Sequence, residues 1–297
     1  MESEKLLNII DCKKISNTIF NNLLIEIEKY KNIGQPELAF ITFGNDKESF
    51  IYLNKAESYC KKLNINICNY NYNYDIREEE ICDIIENLNN NKEVNGIIIQ
   101  SPLPKHLNKN IIYNLIDNYK DVEGLNNYNS GCLINNTYED SFFIPCTPLA
   151  CMEIFKYENI NLKGKIITII GKSNIVGLPL SLLLLKNNAT VTVCHIDTVD
   201  LIFHLKHADI VISACGQANM IKKTWLKKDV IIIDIGINII YNKLNSKDYT
   251  IVGDVDFNDV KDIAHKITPV PRGLGLITIM MLMSNTLKAF KIQNKLM

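Results

Sequence analysis

Neither sign of charge dominates this 297-residue chain, in which 32 lysines and arginines stand against 33 aspartates and glutamates for a formal net charge of −1. Without a basic excess, or a basic run interleaved with aromatics, there is no field to hold nucleic acid or an anionic membrane. Long apolar runs are missing too. The most apolar stretches, residues 178–185 and 274–283, are far too short to span a bilayer. The nine cysteines are odd in number and scattered, with no C-x-x-C, which argues against a disulfide framework or zinc site and for reduced thiols. Among the five histidines, His195 and Asp197 form a close pair, but two candidate ligands do not make a site and no metal is expected. The opening residues Met-Glu-Ser-Glu-Lys lack the basic-then-apolar order of a signal peptide. The expectation is a cytoplasmic enzyme.

What is present is organised around residues 165–198. A β-rich apolar run ends at Gly171, a tight turn Lys172-Ser173-Asn-Ile-Val-Gly177 follows, then a Leu-rich helix and a second β-branched run to His195. This is the pattern of a βαβ unit with a phosphate-sized turn at its first junction. Glycines let the backbone approach a ligand, and free N–H groups at the helix start favour an anion. The dinucleotide fingerprint G-x-G-x-x-G is not met: Ser173 takes the middle glycine's place and the last glycine arrives one residue late.

The flanking sequence alternates strands and helices. Apolar spacing predicts a helix over 11–33, a strand over 37–44, and a helix capped by Ser49 with Tyr52, Ala56, Tyr59 and Leu63 on one face. A strand near 64–74, a helix over 77–88, a strand over 95–100 ending in Gln100, and a helix near 108–118 come next, then loop to about 140. Pro145-Cys-Thr-Pro148 opens a long helix with Thr147 as its cap. Strands follow over 209–216, 230–238 and 252–255, then the Pro/Gly loop 268–278 and an apolar helix over 279–291 that needs a partner. The expected fold is α/β, with parallel sheets and ligands at the carboxyl ends of their strands. Residues 1–147, with 279–297 returning to them, form one domain, and 148–278 form a Rossmann-like second.

Eight stretches, in order, resemble one family, the methylenetetrahydrofolate dehydrogenase/methenyltetrahydrofolate cyclohydrolase enzymes. They are Ser49-Phe-Ile-Tyr52, Gly96-Ile-Ile-Ile-Gln-Ser-Pro-Leu-Pro104, Lys120-Asp-Val-Glu-Gly124, Pro145-Cys-Thr-Pro148, Gly171-Lys-Ser173 with Val176-Gly177, Asp234-Ile-Gly-Ile-Asn238, Val252-Gly-Asp-Val255 and Thr268-Pro-Val-Pro271. The resemblance implies two α/β domains flanking a cleft, a reduced folate as substrate, NADP as the expected cofactor with NAD the alternative, and a homodimer. It implies oxidation of 5,10-methylene-tetrahydrofolate to the methenyl form, then hydrolysis to 10-formyl-tetrahydrofolate. By the same resemblance Tyr52, Gln100 and Glu123 are the catalytic and folate-binding residues, with Pro271 and Gly275 beside the substrate. Gly171, Lys172, Ser173, Ile237 and Thr278 hold the cofactor. Taken alone, Tyr52 is an amphipathic residue on a helix face and Gln100 merely ends a strand.

Departures from the pattern carry their own expectations. The family's catalytic lysine lies four residues after the tyrosine, and that position is Ala56. Lys55 is adjacent but turned by roughly 100°, so the hydrolytic step is expected to be weak or lost. Glu123 replaces the family aspartate, Arg272 a glycine and Leu276 a proline. For the cofactor, Lys172 stands where the family commonly has arginine, whereas Asp197 favours a free ribose 2′-OH. Two other readings compete: a non-catalytic folate- or nucleotide-binding protein, and a different two-domain dehydrogenase resembling shikimate dehydrogenase.

Overall fold

The computed structural model describes residues 8–45, 47–135, 142–241 and 249–296, without the side chains of 47–49. In chain order the first half holds α1 (Cys12–Glu28), β1 (Glu37–Phe43), α2 (Lys47–Leu63), β2 (Asn66–Tyr72), α3 (Glu78–Asn90), β3 (Gly96–Ile99), α4 (Lys109–Leu115) and α5 (Asn127–Ile134). The second holds α6 (Cys146–Tyr157), β4 (Ile166–Ile170), α7 (Gly177–Lys186), β5 (Thr190–Cys194), α8 (Leu201–His207), β6 (Ile210–Ser213) and β7 (Val230–Asp234). The hairpin β8 (Asn238–Tyr241) and β9 (Tyr249–Val252), the single turn α9 (Phe257–Val260), β10 (Ala264–Ile267) and α10 (Gly275–Gln293) complete it.

The chain divides into two compact units, one of residues 18–146 with 279–297, the other of 1–17 with 147–278. The first seventeen residues therefore group with the dinucleotide-type unit, where the sequence placed them with the other. The cause is a strand-like contact: Ile9 bridges Ile267 in parallel, and the Ile10 N–H donates to the Ile267 carbonyl at 2.9 Å.

In the 18–146 unit, β2, β1 and β3 form a parallel sheet in that order. Leu38, Ala39, Phe40 and Ile41 of its central strand are fully buried, as expected where helices cover both faces. Ala39, Ile41 and Ile97 join Ile81 and Ile85 of α3 and Ile112 of α4 in one core. The apolar helix α10 finds its partner here: Met280, Leu282 and Met283 are fully buried, and Met283 Sδ lies 3.4 Å from Cys60 Sγ.

In the other unit, five parallel strands run in the order β10-β7-β6-β4-β5. The chain enters at β4, adds β5 on one side, then crosses to β6 on the other. The loops after β4 and β6 therefore part at a switch point, where such sheets bind ligands.

Three sequence expectations are corrected. Residues 127–134, read as loop, form α5, started by Asn126, whose side chain accepts from the Asn129 N–H; an Asn- and Gly-rich composition hid it. Helices α2 and α6 begin at Lys47 and Cys146, so Ser49 and Thr147 lie inside them rather than capping them. The run 230–238 is not one strand: β7 stops at Asp234 and Asn238 opens an antiparallel hairpin. Residues 136–141, the end of the expected loop, lie outside the described residues.

Candidate active site

Tyr52 stands on α2 with its ring 6.1 Å from that of Phe40 on β1. One turn on, Ala56 is fully buried, while Lys55 points to solvent. The inner face of the helix thus presents a methyl at the position where the resemblance implies an ammonium, and Lys55 lies on the solvent side. Gln100 follows β3 directly. Its N–H donates to the Ile41 carbonyl at 2.9 Å and its Nε2 to the Ser101 carbonyl at 3.1 Å, so its side chain is turned along the Ser-Pro-Leu-Pro turn.

Glu123 ends a segment fixed at every residue before it. The Ile97 N–H donates to the Lys120 carbonyl at 2.8 Å, extending the sheet past β3. The Lys120 ammonium is buried and donates to the carbonyls of Leu88, Asn89 and Asn91, closing the C-terminal end of α3. Asp121 Oδ2 accepts from the Asn126 N–H and Asn129 Nδ2. Gly124 then turns the chain at φ +65°, where an added Cβ would lie 2.6 Å from the Phe143 carbonyl oxygen. Only glycine fits both the conformation and the space.

The groups around Glu123 feel one another. Burial, then the charge of Asp121, pushes the Glu123 carboxyl up to about 8. Burial, then Cys146 and Glu123, raises the Tyr52 phenol well above its ordinary range. Tyr113 on α4, its hydroxyl 3.2 Å from Ser101 Oγ, is pushed up to about 12 by burial and then by Glu123. Burial, then Glu123 and Asp121, raises the Cys146 thiol. Tyr52, Tyr113 and Cys146 thus all feel the charge of Glu123, a half-buried carboxyl whose proton is held well above the ordinary carboxylate range. Such a group can donate a hydrogen bond, or lose its proton to a ligand that presents donors. Tyr113 escapes a sequence reading because a tyrosine on a short helix carries no spacing signal, and Cys146 because a lone cysteine inside an apolar stretch looks like packing.

The other unit carries the remaining sequence-predicted residues. At the end of β4, an added Cβ on Gly171 (φ +118°) would lie 2.3 Å from the Ala214 carbonyl oxygen, and one on Gly177 would lie 1.8 Å from that of Gly171. The turn is thus closed to side chains on its inner wall. Ser173 Oγ accepts from the Val176 N–H at 3.1 Å, and Lys172 and Ser173 are exposed. A pyrophosphate fits this cradle: free backbone, the start of a ten-residue helix and a nearby ammonium. Ile237, 59% exposed, follows β7, and Thr278 lies in the first turn of α10 with its hydroxyl on the Leu274 carbonyl. Pro271 is exposed in the loop after β10, and Gly275, also exposed, opens α10. In that loop Arg272 holds φ +71°, a left-handed backbone that costs a side-chain-bearing residue roughly 1 kcal/mol.

Two aspartates of the strand-end motifs, given no role by sequence, organise this edge. Asp254 Oδ2 accepts from Ser213 Oγ and the Cys215 N–H, each at 2.9 Å, and Oδ1 from the Gln217 N–H and Asn238 Nδ2. Burial alone would raise this carboxyl, but its donors hold it below its ordinary value. Asp234 accepts from the N–H groups of Gly236, Asp254 and Val255, yet burial pushes it up to about 7. Together they fix the loops after β6, β7 and β9. Among the described residues, no three His, Cys, Asp or Glu side chains gather as a metal site, and no helix is long and apolar enough to cross a membrane.

A parallel five-stranded sheet with a side-chain-free turn at its switch point, joined in one chain to a second α/β unit whose half-buried Glu123 carboxyl acts on two tyrosines, defines a two-domain nucleotide-dependent enzyme. Residues 10–123 match the catalytic domain, and 145–294 the NAD(P)-binding domain, of tetrahydrofolate dehydrogenase/cyclohydrolase. The chain belongs to that family. It is 43% identical to the bifunctional protein FolD of Nautilia profundicola over 96% of this chain and 98% of the relative. The crystal structure of the bifunctional methylenetetrahydrofolate dehydrogenase/cyclohydrolase of Campylobacter jejuni is similar at 39% identity and TM-score 0.89, covering 96% of this chain and 98% of the other. That of the Trypanosoma brucei enzyme, complexed with NADP and an inhibitor, gives 30% identity and TM-score 0.92 over 97% and 98%.

Proposed function

We propose that the chain oxidises 5,10-methylene-tetrahydrofolate to 5,10-methenyl-tetrahydrofolate with NADP+ as the favoured acceptor, and hydrolyses the product to 10-formyl-tetrahydrofolate more slowly. What carries the reading is the half-buried carboxyl of Glu123, whose charge reaches the Tyr52 phenol, in a chain that matches both domains of the family. A reduced pterin offers N–H donors to a carboxylate, so Glu123 holds the ring while Tyr52 packs beside the one-carbon bridge. A nicotinamide dinucleotide held at the Gly171–Gly177 turn would supply the hydride acceptor, and the methenyl cation left on the folate is stabilised by resonance. The protein's task is therefore orientation more than nucleophilic attack. In the second step water adds to the methenyl carbon, the bond to the ring nitrogen opens, and a proton is released. Ala56 can neither donate nor polarise, so this step lacks the help an ammonium would give.

NADP is favoured by the exposed ammonium of Lys172 in the cradle and by the NADP-bound Trypanosoma brucei structure. Asp197, 78% exposed and 3.5 Å from His195 Nδ1, is the feature that favours NAD. All nine cysteines are unpaired, which supports a reducing compartment such as the cytoplasm. The homodimer is carried over from the family resemblance, and the solution mass tests it. The non-catalytic alternative gains nothing from relatives named as bifunctional enzymes.

The experiment supplies 5,10-methylene-tetrahydrofolate with each oxidised nicotinamide and follows reduced cofactor and methenyl absorbance separately. Growth of both bands, faster with NADP+, is expected. Saturable binding without either band would refute the proposal, and a clear NAD+ preference would reverse the choice of cofactor.

A further inference from the structure

The search for groups the reaction has not used leads to α10. This helix is apolar, yet three polar side chains along it, the buried Asn285 and the half-buried Lys288 and Gln293, donate to backbone carbonyls of other segments, several of them near Glu123. Asn285 is 5% exposed. Its Nδ2 donates to the Val122 carbonyl at 2.8 Å and the Ile144 carbonyl at 3.1 Å, and lies 3.7 Å from Cys146 Sγ. One amide thus joins the residue before Glu123 to the residues around Cys146. The Cys146 thiol completes the triangle, 3.6 Å from the same Val122 carbonyl.

The same face continues along the helix. Lys288 Nζ donates to the Phe142 carbonyl at 2.7 Å and lies over the rings of Phe142 and Phe143. Gln293 Nε2 donates to the carbonyls of Asn95 and Tyr119, and its Oε1 accepts from Asn95 Nδ2. Residues 119, 122, 142 and 144 are therefore tied to one rigid helix on both sides of the Glu123–Gly124 turn. A buried asparagine in so apolar a helix is costly unless its partners are fixed, and its partners here are the walls around one carboxyl.

We propose that Asn285 is a positioning residue for folate binding, acting from the C-terminal helix by locking the Val122–Glu123 segment to the Ile144–Cys146 segment so that the half-buried Glu123 carboxyl keeps its place. The inference rests on Glu123 being the folate-binding carboxyl. Asn285 touches no substrate; it acts through two carbonyls. Leucine at 285 keeps the branched outline, with bulkier methyl ends, and removes both donated bonds. The two segments then loosen, water reaches Glu123, and the burial that holds its proton weakens.

The test compares wild type with Asn285→Leu and Asn285→Ser, the serine keeping one donor. KM for 5,10-methylene-tetrahydrofolate in Asn285→Leu is expected to rise about tenfold, the scale of one to two hydrogen bonds, with KM for the nicotinamide unchanged. The inflection in the pH profile of the folate KM is expected to move down by about one pH unit, and serine to recover part of both effects. If Asn285→Leu retains the wild-type folate KM and pH inflection, or raises both KM values equally alongside a lower Tm, Asn285 is merely structural and the proposal falls. Should Asn285→Leu not fold, an unchanged folate KM in Asn285→Ser overturns it. Wild type with no folate turnover at all would instead overturn the assignment of function.

Discussion

Replacing Glu123 by glutamine should stabilise the protein while impairing it, and the size of the gain follows from burial. Carrying a carboxyl from its ordinary 4.5 to about 8 corresponds to about 1.4 kcal/mol per pH unit, on the order of 5 kcal/mol in all. The sign follows from proton uptake. Between pH 4.5 and 8 the folded state holds a proton on Glu123 that the unfolded chain has released, so stability falls as pH rises through that window. Glutamine is neutral at every pH and nearly the same shape, so it escapes the loss. Little difference is expected near pH 4.5, and a gain of at least about 2 kcal/mol at pH 8, which is about 4–8 °C in Tm for a unit of this size. Thermal unfolding of wild type and Glu123→Gln across pH 4.5–8.5 measures it, with folate KM in parallel. Activity should fall because the amide cannot become the anion that meets the pterin's donors. Equal Tm differences at pH 4.5 and pH 8 would show that Glu123 is ionised throughout and that burial does not hold its proton.

Other perturbations probe the remaining parts of the site. Ala56→Lys should speed methenyl-tetrahydrofolate hydrolysis at least tenfold, read from the loss of methenyl absorbance; a vigorous wild-type rate that the lysine does not raise refutes the part given to position 56. Gly177→Ala drives a methyl to 1.8 Å from the Gly171 carbonyl oxygen, so the turn must open. A loss of about 2–4 kcal/mol and a large rise in nicotinamide KM are expected, whereas unchanged cofactor titration and Tm would count against the cradle. Asp254→Asn puts an amide N–H₂ where one carboxylate oxygen accepts from hydroxyl and backbone donors. It should lower Tm by several degrees and weaken NADP more than folate; an equal effect on both ligands would refute a local action on the loops after β6 and β7.

The sequence exposed what repetition and spacing encode. The βαβ unit around Gly171–Gly177 was readable because alternating β-branched and Leu-rich runs bracket glycines, and the packing shows why no other residue fits there. Tyr52 and Ala56 were placed on one helix face by their four-residue spacing. Contacts between distant segments were not readable. Nothing in a run rich in asparagine announces that Asn126 and Asn129 bind Asp121, that Tyr113 reaches Ser101, or that Asn285 reaches Val122. The N-terminal residues were misplaced for the same reason, since their grouping depends on a pairing with Ile267, more than 250 positions away. Periodicity reports the environment of a residue, whereas a hydrogen bond across the chain reports an address.

The unit bearing Tyr52 and Glu123 is discontinuous: residues 18–146 are completed by 279–297 only after 132 others have intervened. On the ribosome, then, the first sheet emerges early but waits for Met280, Leu282 and Met283 to cover it, while the five-stranded unit can close before it. The interval is one of exposed isoleucines and phenylalanines, when a nascent chain is open to chaperone capture or to aggregation. Deleting α10 should not give a weakened enzyme but leave that half permanently unfinished, with its inner wall facing water.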